Sequence, residues 1–430
     1  MCRLWLSSHR ARSRATWHVA LAERCSHGEG TTGVFDVAVI GAGIVGLAVA
    51  RELLHRRASL RVVVLEKEER AAAHQSSHNS GVIHSGLYYS PGSLKARACV
   101  AGAARLIRYC EEKGIPYRLC GKVVVATSPD EIPRLEELYR RGQANGVAGL
   151  RLIGSEELRE LEPYVAGLRA IWSPNTGIVD FAAVAKAYAD DVLSHGGQIR
   201  FRHQVIGIRR GGASTLVETT AGDIESRVVV GCAGLYSDRL ARMSGASPVP
   251  QIVPFRGTYY VLRPDRAGLV RGNVYPVPDP RFPFLGVHLT PRLDGQVWLG
   301  PNAVLAFARE GYTRRTIHLG ELLETLRYRG FRTLARKYWR TGLAELWRDA
   351  SRRAFLRALQ RFVPDLTADD LVPGPSGVRA QALAPNGELV DDFVLDRQPG
   401  ILHVRNAPSP AATSSLEIAR MIADEVEPML

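Results

Sequence analysis

The sequence predicts an α/β fold of two domains, one built on a Rossmann-like, dinucleotide-binding parallel sheet and one carrying a mixed β-sheet. Three observations predict it. The chain has 430 residues, 46% of them hydrophobic, which is too long for one compact core. An apolar, β-branched run near its start feeds a G-x-G-x-x-G turn and then a helix-forming stretch. Further strand-like runs recur at irregular distances, with no fixed-period repeat of the kind a solenoid or propeller carries.

The first run, Phe35-Asp36-Val37-Ala38-Val39-Ile40, has the composition of a buried parallel strand. It leads into Gly41-Ala42-Gly43-Ile44-Val45-Gly46, a helix over Leu47 to Leu54, and a second strand, Leu60 to Leu65, that ends at Glu66. Gly41 permits the tight turn, Gly43 lets backbone approach a pyrophosphate, and Gly46 lets helix and strand pack closely. The helix start, at Ile44 and Val45, offers free N–H groups and the positive end of the dipole to phosphate. Glu66, 20 residues past Gly46, is placed to accept from a ribose diol.

The next segment chooses between FAD and NAD. An NAD enzyme would continue into another helix–strand unit. Here Lys67 is followed by a small, polar loop, His74-Gln75-Ser76-Ser77-His78-Asn79-Ser80-Gly81-Val82-Ile83-His84-Ser85-Gly86, suited to lying along an extended cofactor. Lys67, Ser77, Asn79, Ser80 and Gly81 are the expected contacts. Gln204 to Ile208 reads as a strand whose Val205 touches adenine. Ile224 to Val230 reads as a buried strand ending in small residues that include Ala233 and Gly234. Near the C-terminus, the strand Ile401 to Arg405 precedes Asn406-Ala407-Pro408-Ser409-Pro410-Ala411-Ala412-Thr413 and an amphipathic helix, Leu416 to Val426. That helix start aims N–H groups at an anion, which makes Ser409, Ala411, Ala412 and Thr413 further cofactor contacts.

The loop and these segments resemble the D-amino-acid-oxidase superfamily of flavoproteins. Longer strings narrow the resemblance to the mitochondrial L-2-hydroxyglutarate dehydrogenases: His78 to Tyr89, Val253-Pro254-Phe255-Arg256-Gly257, Arg281 to His288, Gly374 to Gln381, and His403 to Ser415. The resemblance runs from Phe35 to the end. It implies FAD, a small 2-hydroxy dicarboxylate as substrate, and a quinone or electron-transfer flavoprotein as acceptor. The sequence departs from the family in a short segment between Asp396 and Ile401 and in an arginine-rich region, Gly320 to Arg361. Two other readings stay open, an amine or amino-acid oxidase or glycerol-3-phosphate-type dehydrogenase, and a catalytically silent flavin-binding paralogue.

Oxidising a 2-hydroxy acid needs a grip on the carboxylate, a base for the hydroxyl proton and stabilisation of charge on the flavin. Arg379, after Gly377, is the expected clamp, because a guanidinium pairs two carboxylate oxygens at once. Arg256 is a candidate for the second carboxylate. His84, His288 and His403 are the candidate bases, since histidine titrates nearest neutrality. Tyr88 and Tyr89 are candidate hydrogen-bond donors. No metal site is expected. The cofactor segments fall at 34–114, 167–251 and 366–430, and the intervening 115–166 and 252–365 are assigned to the substrate domain.

Residues 1–33 hold five arginines and two acids, the composition of a mitochondrial transit peptide. The alternative is a plain tail. The formal charge is +13, yet no zinc-finger, RNA-binding or basic–heptad pattern accompanies it, so nucleic acid is not indicated. Six cysteines without a CxxC pair fit reduced thiols in an intracellular compartment. Arg314 to Arg361 carries 13 basic and 4 acidic residues in 48, interleaved with leucines, Trp339 and Trp347. It reads as peripheral contact with anionic membrane or as a helical cap with a solvated basic face.

Overall fold

The computed structural model describes residues 33–279 and 285–430; the proposed transit segment to residue 32 and Arg281 to Phe284 of the family-like string lie outside the described residues. Two large sheets organise the chain. The first has eight strands, in the order Val205–Arg210, Thr215–Thr219, Ile224–Gly231, Phe35–Ile40, Val62–Leu65, Gln198–Arg200, with the hairpin Val394–Gln398/Ile401–Asn406 joined to Ile224–Gly231. Its centre is parallel: Phe35–Ile40 pairs in that sense with both Val62–Leu65 and Ile224–Gly231.

These central strands alternate between two buried faces. Val37, Val39, Val62, Val64, Val228 and Val230 pack against residues of the helices Ile44–Arg56, Phe181–Ser194 and Ser415–Val426. Ala38, Ile40, Val63, Leu65 and Val229 pack on the other side with Ile208, Val217 and Leu240. Burial of both faces explains the near-continuous apolar runs.

The second sheet has nine strands, ordered Val304–Leu305, Gln251–Leu262, Val297–Gly300, His288–Pro291, Asn273–Pro276, Lys122–Ala126, Arg169–Ser173, Arg151–Gly154, with Leu371–Leu383 on Gln251–Leu262. The pairing of Leu371–Leu383 with Gln251–Leu262 is antiparallel and runs nearly end to end. Leu371–Leu383 and Arg169–Ser173 therefore sit in the sheet of the substrate segments, not with the cofactor pieces to which the sequence boundaries assigned them. The cause is non-local pairing, which a run of apolar residues does not announce.

The short segment after Asp396 closes as a tight hairpin. Gln398 pairs with Ile401, and Gly400 turns the chain with φ +72°. The arginine-rich region forms the helices Leu319–Arg327, Arg329–Ala350 and Arg352–Gln360, the second bent at Tyr338. No helix among the described residues is long and apolar enough to cross a membrane. Cys99, Cys110, Cys120 and Cys232 are free thiols.

Candidate active site

The site begins where strand Phe35–Ile40 ends. Gly41 has φ +107°, and a Cβ there would lie 2.5 Å from the Cys232 carbonyl oxygen; a Cβ on Gly46 would lie 2.0 Å from the Gly41 carbonyl oxygen. Both positions exclude every side chain. Gly43 differs: its Cβ would meet only the Ser76 hydroxyl, at 3.4 Å, so its outer side is open to an incoming group. No side chain caps the helix at Gly43, although the Ile44 N–H donates to Ser76 Oγ at 2.9 Å. Glu66 is buried, and its carboxylate accepts from the Ala42 N–H at 2.8 Å and the Glu68 N–H at 3.0 Å. The Ile44 N–H expected to be free is thus taken by Ser76, while a helix start without an N-cap side chain, a glycine open on its outer side and a fixed carboxylate fit a dinucleotide diphosphate and its ribose.

The loop beyond Glu66 holds itself in shape. The Asn79 amide donates to the carbonyls of Gln75 and Ser76, and its Oδ1 accepts from the Gly81 N–H at 2.9 Å. Ser77 donates to the His74 carbonyl, Lys67 pairs with Glu68 and with Glu310 at 2.6 Å, and Ser80 is half-buried. Gly234 lies against the loop, since its Cβ would meet Gln75 Oε1 at 2.9 Å; Ala233, just before it, and Val205 pack partly buried on the sheet core. The C-terminal turn closes over the loop. Thr413 Oγ1 donates to the Val82 carbonyl and accepts from the His84 N–H at 3.2 Å, while Ser409 Oγ lies 3.5 Å from His84 Nε2. Ala411 and Ala412 pack partly buried on the main core beneath this turn.

Beside His84 the second sheet contributes a group of side chains from distant parts of the chain. The His288 ring stacks on Tyr275, centroids 4.0 Å apart, and Lys122 Nζ lies 4.7 Å from the Tyr275 centroid and 4.8 Å from that of Tyr88. The charge of Arg379 acts on Tyr259, Tyr275 and His288. Burial drives the electrostatics. It pushes His288 down to about 3, aided by the charges of Arg379 and Lys122. His84 is held well below the usual histidine range by burial and then by the Lys122 and His288 charges. Burial likewise lowers Lys122 to about 8. Both histidines are thus neutral at pH 7. The Gly286 carbonyl, 3.1 Å from His288 Nδ1, can only accept, so it fixes the proton on that nitrogen and leaves Nε2 as a base. His84 Nδ1 and the Tyr88 hydroxyl are buried without a hydrogen-bond partner, as groups awaiting a ligand would be.

Two sequence candidates fall outside this group. Arg256 pairs across the sheet with Val378, whereas Arg379 pairs with Phe255, so the two arginines project from opposite faces. Arg256 donates to Asp349 at 3.0 Å, and that carboxylate also takes Thr258, Asn302 and Arg314. It is a structural ion pair rather than a second carboxylate clamp. His403 is buried in the first sheet, 2.7 Å from Ser244 Oγ; burial lowers it to about 4, offset in part by Asp396. It shares no partner with His84 or His288. Conversely, sequence reasoning passed over Ser76 and Lys122. Lys122 carries a signal in retrospect, as a lone cation opening the otherwise apolar strand Lys122–Ala126, all of it buried.

Comparison with known proteins agrees with this geometry. A family model described as FAD dependent oxidoreductase matches residues 36–425. The mitochondrial L-2-hydroxyglutarate dehydrogenase of Nematostella vectensis is 53% identical over 410 residues, covering 91% of this chain and 90% of its own. The human mitochondrial L-2-hydroxyglutarate dehydrogenase is 51% identical over 414 residues, 92% of this chain and 89% of its own, and the L-2-hydroxyglutarate dehydrogenase of Indibacter alkaliphilus is 48% identical over 391 residues, 91% and 98%. The fold is shared with an FAD-bound L-alpha-glycerophosphate oxidase from Mycoplasma pneumoniae, at TM-score 0.75 and 24% identity over 92% of this chain and 95% of that one. Glycine oxidase from Geobacillus kaustophilus has the same fold, at TM-score 0.68 and 21% identity over the same shares. The chain belongs to the L-2-hydroxyglutarate dehydrogenase family of FAD-dependent oxidoreductases.

Proposed function

We propose that the chain oxidises L-2-hydroxyglutarate to 2-oxoglutarate, with FAD held by the Gly41–Gly46 turn, Glu66 and the 74–86 loop. The observation that carries this reading is the placement of His84, tied to the cofactor-side turn through Thr413, beside the Lys122–Tyr275–His288 group, where the charge of Arg379 reaches His288. Bound FAD supplies the acceptor for the C2 hydride. Arg379 grips the C1 carboxylate as a planar fork, which fixes the face that C2 presents. His84 takes the hydroxyl proton. Its amide is tied to the C-terminal turn through Thr413, and its Nδ1 is the unpartnered nitrogen. His288, its proton held on Nδ1 by the Gly286 carbonyl, stands beside it as the second group able to accept that proton. The test is anaerobic: each enantiomer of 2-hydroxyglutarate is added to FAD-loaded protein and the visible flavin band followed. Bleaching by the L form alone is expected; a band untouched by both enantiomers sinks the reading.

The relatives' names support a mitochondrial location, and the arginine-rich start of the chain agrees with import. We further propose that the protein works on the anionic inner membrane and passes electrons to a quinone or an electron-transfer flavoprotein. Leu319, Leu323 and Leu326 on one helix and Trp339, Leu343, Leu346 and Trp347 on the next are all exposed, at helical spacings that align each set on one face. Arg332, Arg336, Lys337 and Arg340 are exposed beside them. Apolar side chains ringed by cations suit a bilayer interface. Co-sedimentation with anionic vesicles that weakens with salt is expected, and failure to bind at low salt refutes the membrane contact.

A further inference from the structure

Lys122 has no role in the reaction as set out so far, yet it is 1% exposed in the middle of the site. Among the described residues no carboxylate pairs with it. Its neighbours include the faces of Tyr88 and Tyr275, at 4.8 and 4.7 Å, and the buried Cys99 thiol, whose own ionisation burial disfavours, an arrangement that tolerates the ammonium without neutralising it. A buried charge with no ionised partner is costly unless an anion joins it. The Tyr88 hydroxyl, buried without a partner on the ring that Lys122 covers, is a second donor for the same anion. Arg379 and Lys122 both border the Tyr275–His288 stack: the charge of each acts on His288. Two cations around one neutral histidine pair form a site for a dianion. The arginine expected to fill the second place, Arg256, lies on the opposite face of the sheet with Asp349.

We propose that Lys122, with the Tyr88 hydroxyl, anchors the carboxylate of the substrate distant from C2, so that Arg379 and Lys122 together select a dicarboxylate over a monocarboxylate. The proposal rests on the substrate reading above and deepens it. Lys122 is preferred here as an anchor over a role as base, since the two histidines are already neutral at pH 7 and the lysine is mostly charged there.

The test is calorimetric binding of glutarate and of butyrate to FAD-loaded protein, alongside KM for L-2-hydroxyglutarate and L-2-hydroxybutyrate. Lys122→Met should weaken glutarate by about 30-fold, the size of one lost charged hydrogen bond, and change butyrate by no more than about 3-fold. Lys122→Arg should keep most of the preference. Equal losses for both ligands, or undiminished glutarate binding, overturn the proposal. Should the variants not fold, the wild type answers alone. As pH rises through about 8 the ammonium is lost, so glutarate affinity should fall relative to butyrate; parallel pH curves overturn the anchor. A wild type that binds glutarate through Lys122 but is inert toward L-2-hydroxyglutarate overturns the substrate reading and leaves the anchor standing.

Discussion

The cofactor cradle and the substrate group meet at His84 but are built from different materials. The cradle is mostly backbone: two glycines that admit no side chain, a helix start whose N-cap is glycine, and amides of Ala42 and Glu68 tied to Glu66. The substrate group is side chains: Arg379, His288, Lys122 and Tyr275, each from a different strand of the second sheet. A backbone site depends on what is missing, and it fails when an atom is added. A side-chain site depends on charge and reach, and it fails by degrees when an atom is removed.

The sharpest way to break that contrast is to add atoms to the cradle. Gly46→Val places carbon within 2.0 Å of the Gly41 carbonyl, with no flexible neighbour to yield. Purified protein should carry no flavin and should lose thermal stability, as read by absorbance and by calorimetric melting. Gly43→Ala at the open position should retain the fold and lose only part of its FAD affinity, because its Cβ meets nothing closer than 3.4 Å. Equal behaviour of the two variants would falsify the distinction between a packing glycine and a phosphate-approach glycine.

Removing atoms from the substrate group comes next in size. Arg379→Met should lower kcat/KM by about 10³-fold, as losing a bidentate charged pair costs about 4 kcal/mol, with the flavin spectrum intact. Arg379→Lys should recover only part, since an ammonium lacks the planar fork. The control is the arginine on the other face. Arg256→Met leaves Asp349 short of one partner in a buried position, and should cost about 3 kcal/mol of stability with kcat/KM little changed in the folded enzyme. A kcat/KM loss at Arg256 as large as at Arg379 would place both on the substrate and undo the assignment by face.

The same contrast decides what could be read before the fold was known. The cradle comes from one continuous stretch, so spacing picked out Gly41, Gly43, Gly46 and Glu66, and the central strands and two of the three flanking helices, Ile44–Arg56 and Ser415–Val426, were legible locally, whereas Phe181–Ser194 was not read. The second sheet joins Lys122 to Asn273 and Phe255 to Arg379, partners 151 and 124 residues apart. Nothing local encodes that register, so Arg256 was read as a candidate for the second carboxylate beside Arg379, although a one-residue offset puts the two on opposite faces. The same blindness moved Leu371–Leu383 to the wrong segment and hid Lys122, which has no carboxylate partner among the described residues. His403 misled for the opposite reason: it stands in a family-like string, but its ring serves the sheet core through Ser244.

The smallest effect separates the two regions by acid. The cradle's one carboxylate named here, Glu66, is held by backbone amides, whereas the substrate group depends on histidines kept neutral by burial. His288 has a folded value of about 3 and an ordinary unfolded value of about 6.5. A lowered histidine means that the unfolded chain binds the extra proton first. Stability is therefore full above the unfolded value and declines as pH falls toward about 3. At pH 5 the loss from His288 amounts to about 2 kcal/mol, and His403, lowered to about 4, adds a similar decline. Denaturant melts between pH 7 and 5 should show this slope, and His288→Asn should flatten it only in part, since His84 and His403 contribute declines of the same sign. Activity should not break near 6.5 on the acid side, because His84 stays neutral well below that value and keeps its capacity to take the hydroxyl proton. An acid limb centred on about 6.5 in kcat/KM would mean that the base is a solvated histidine outside this group, and the division of labour between substrate group and cradle would have to be redrawn.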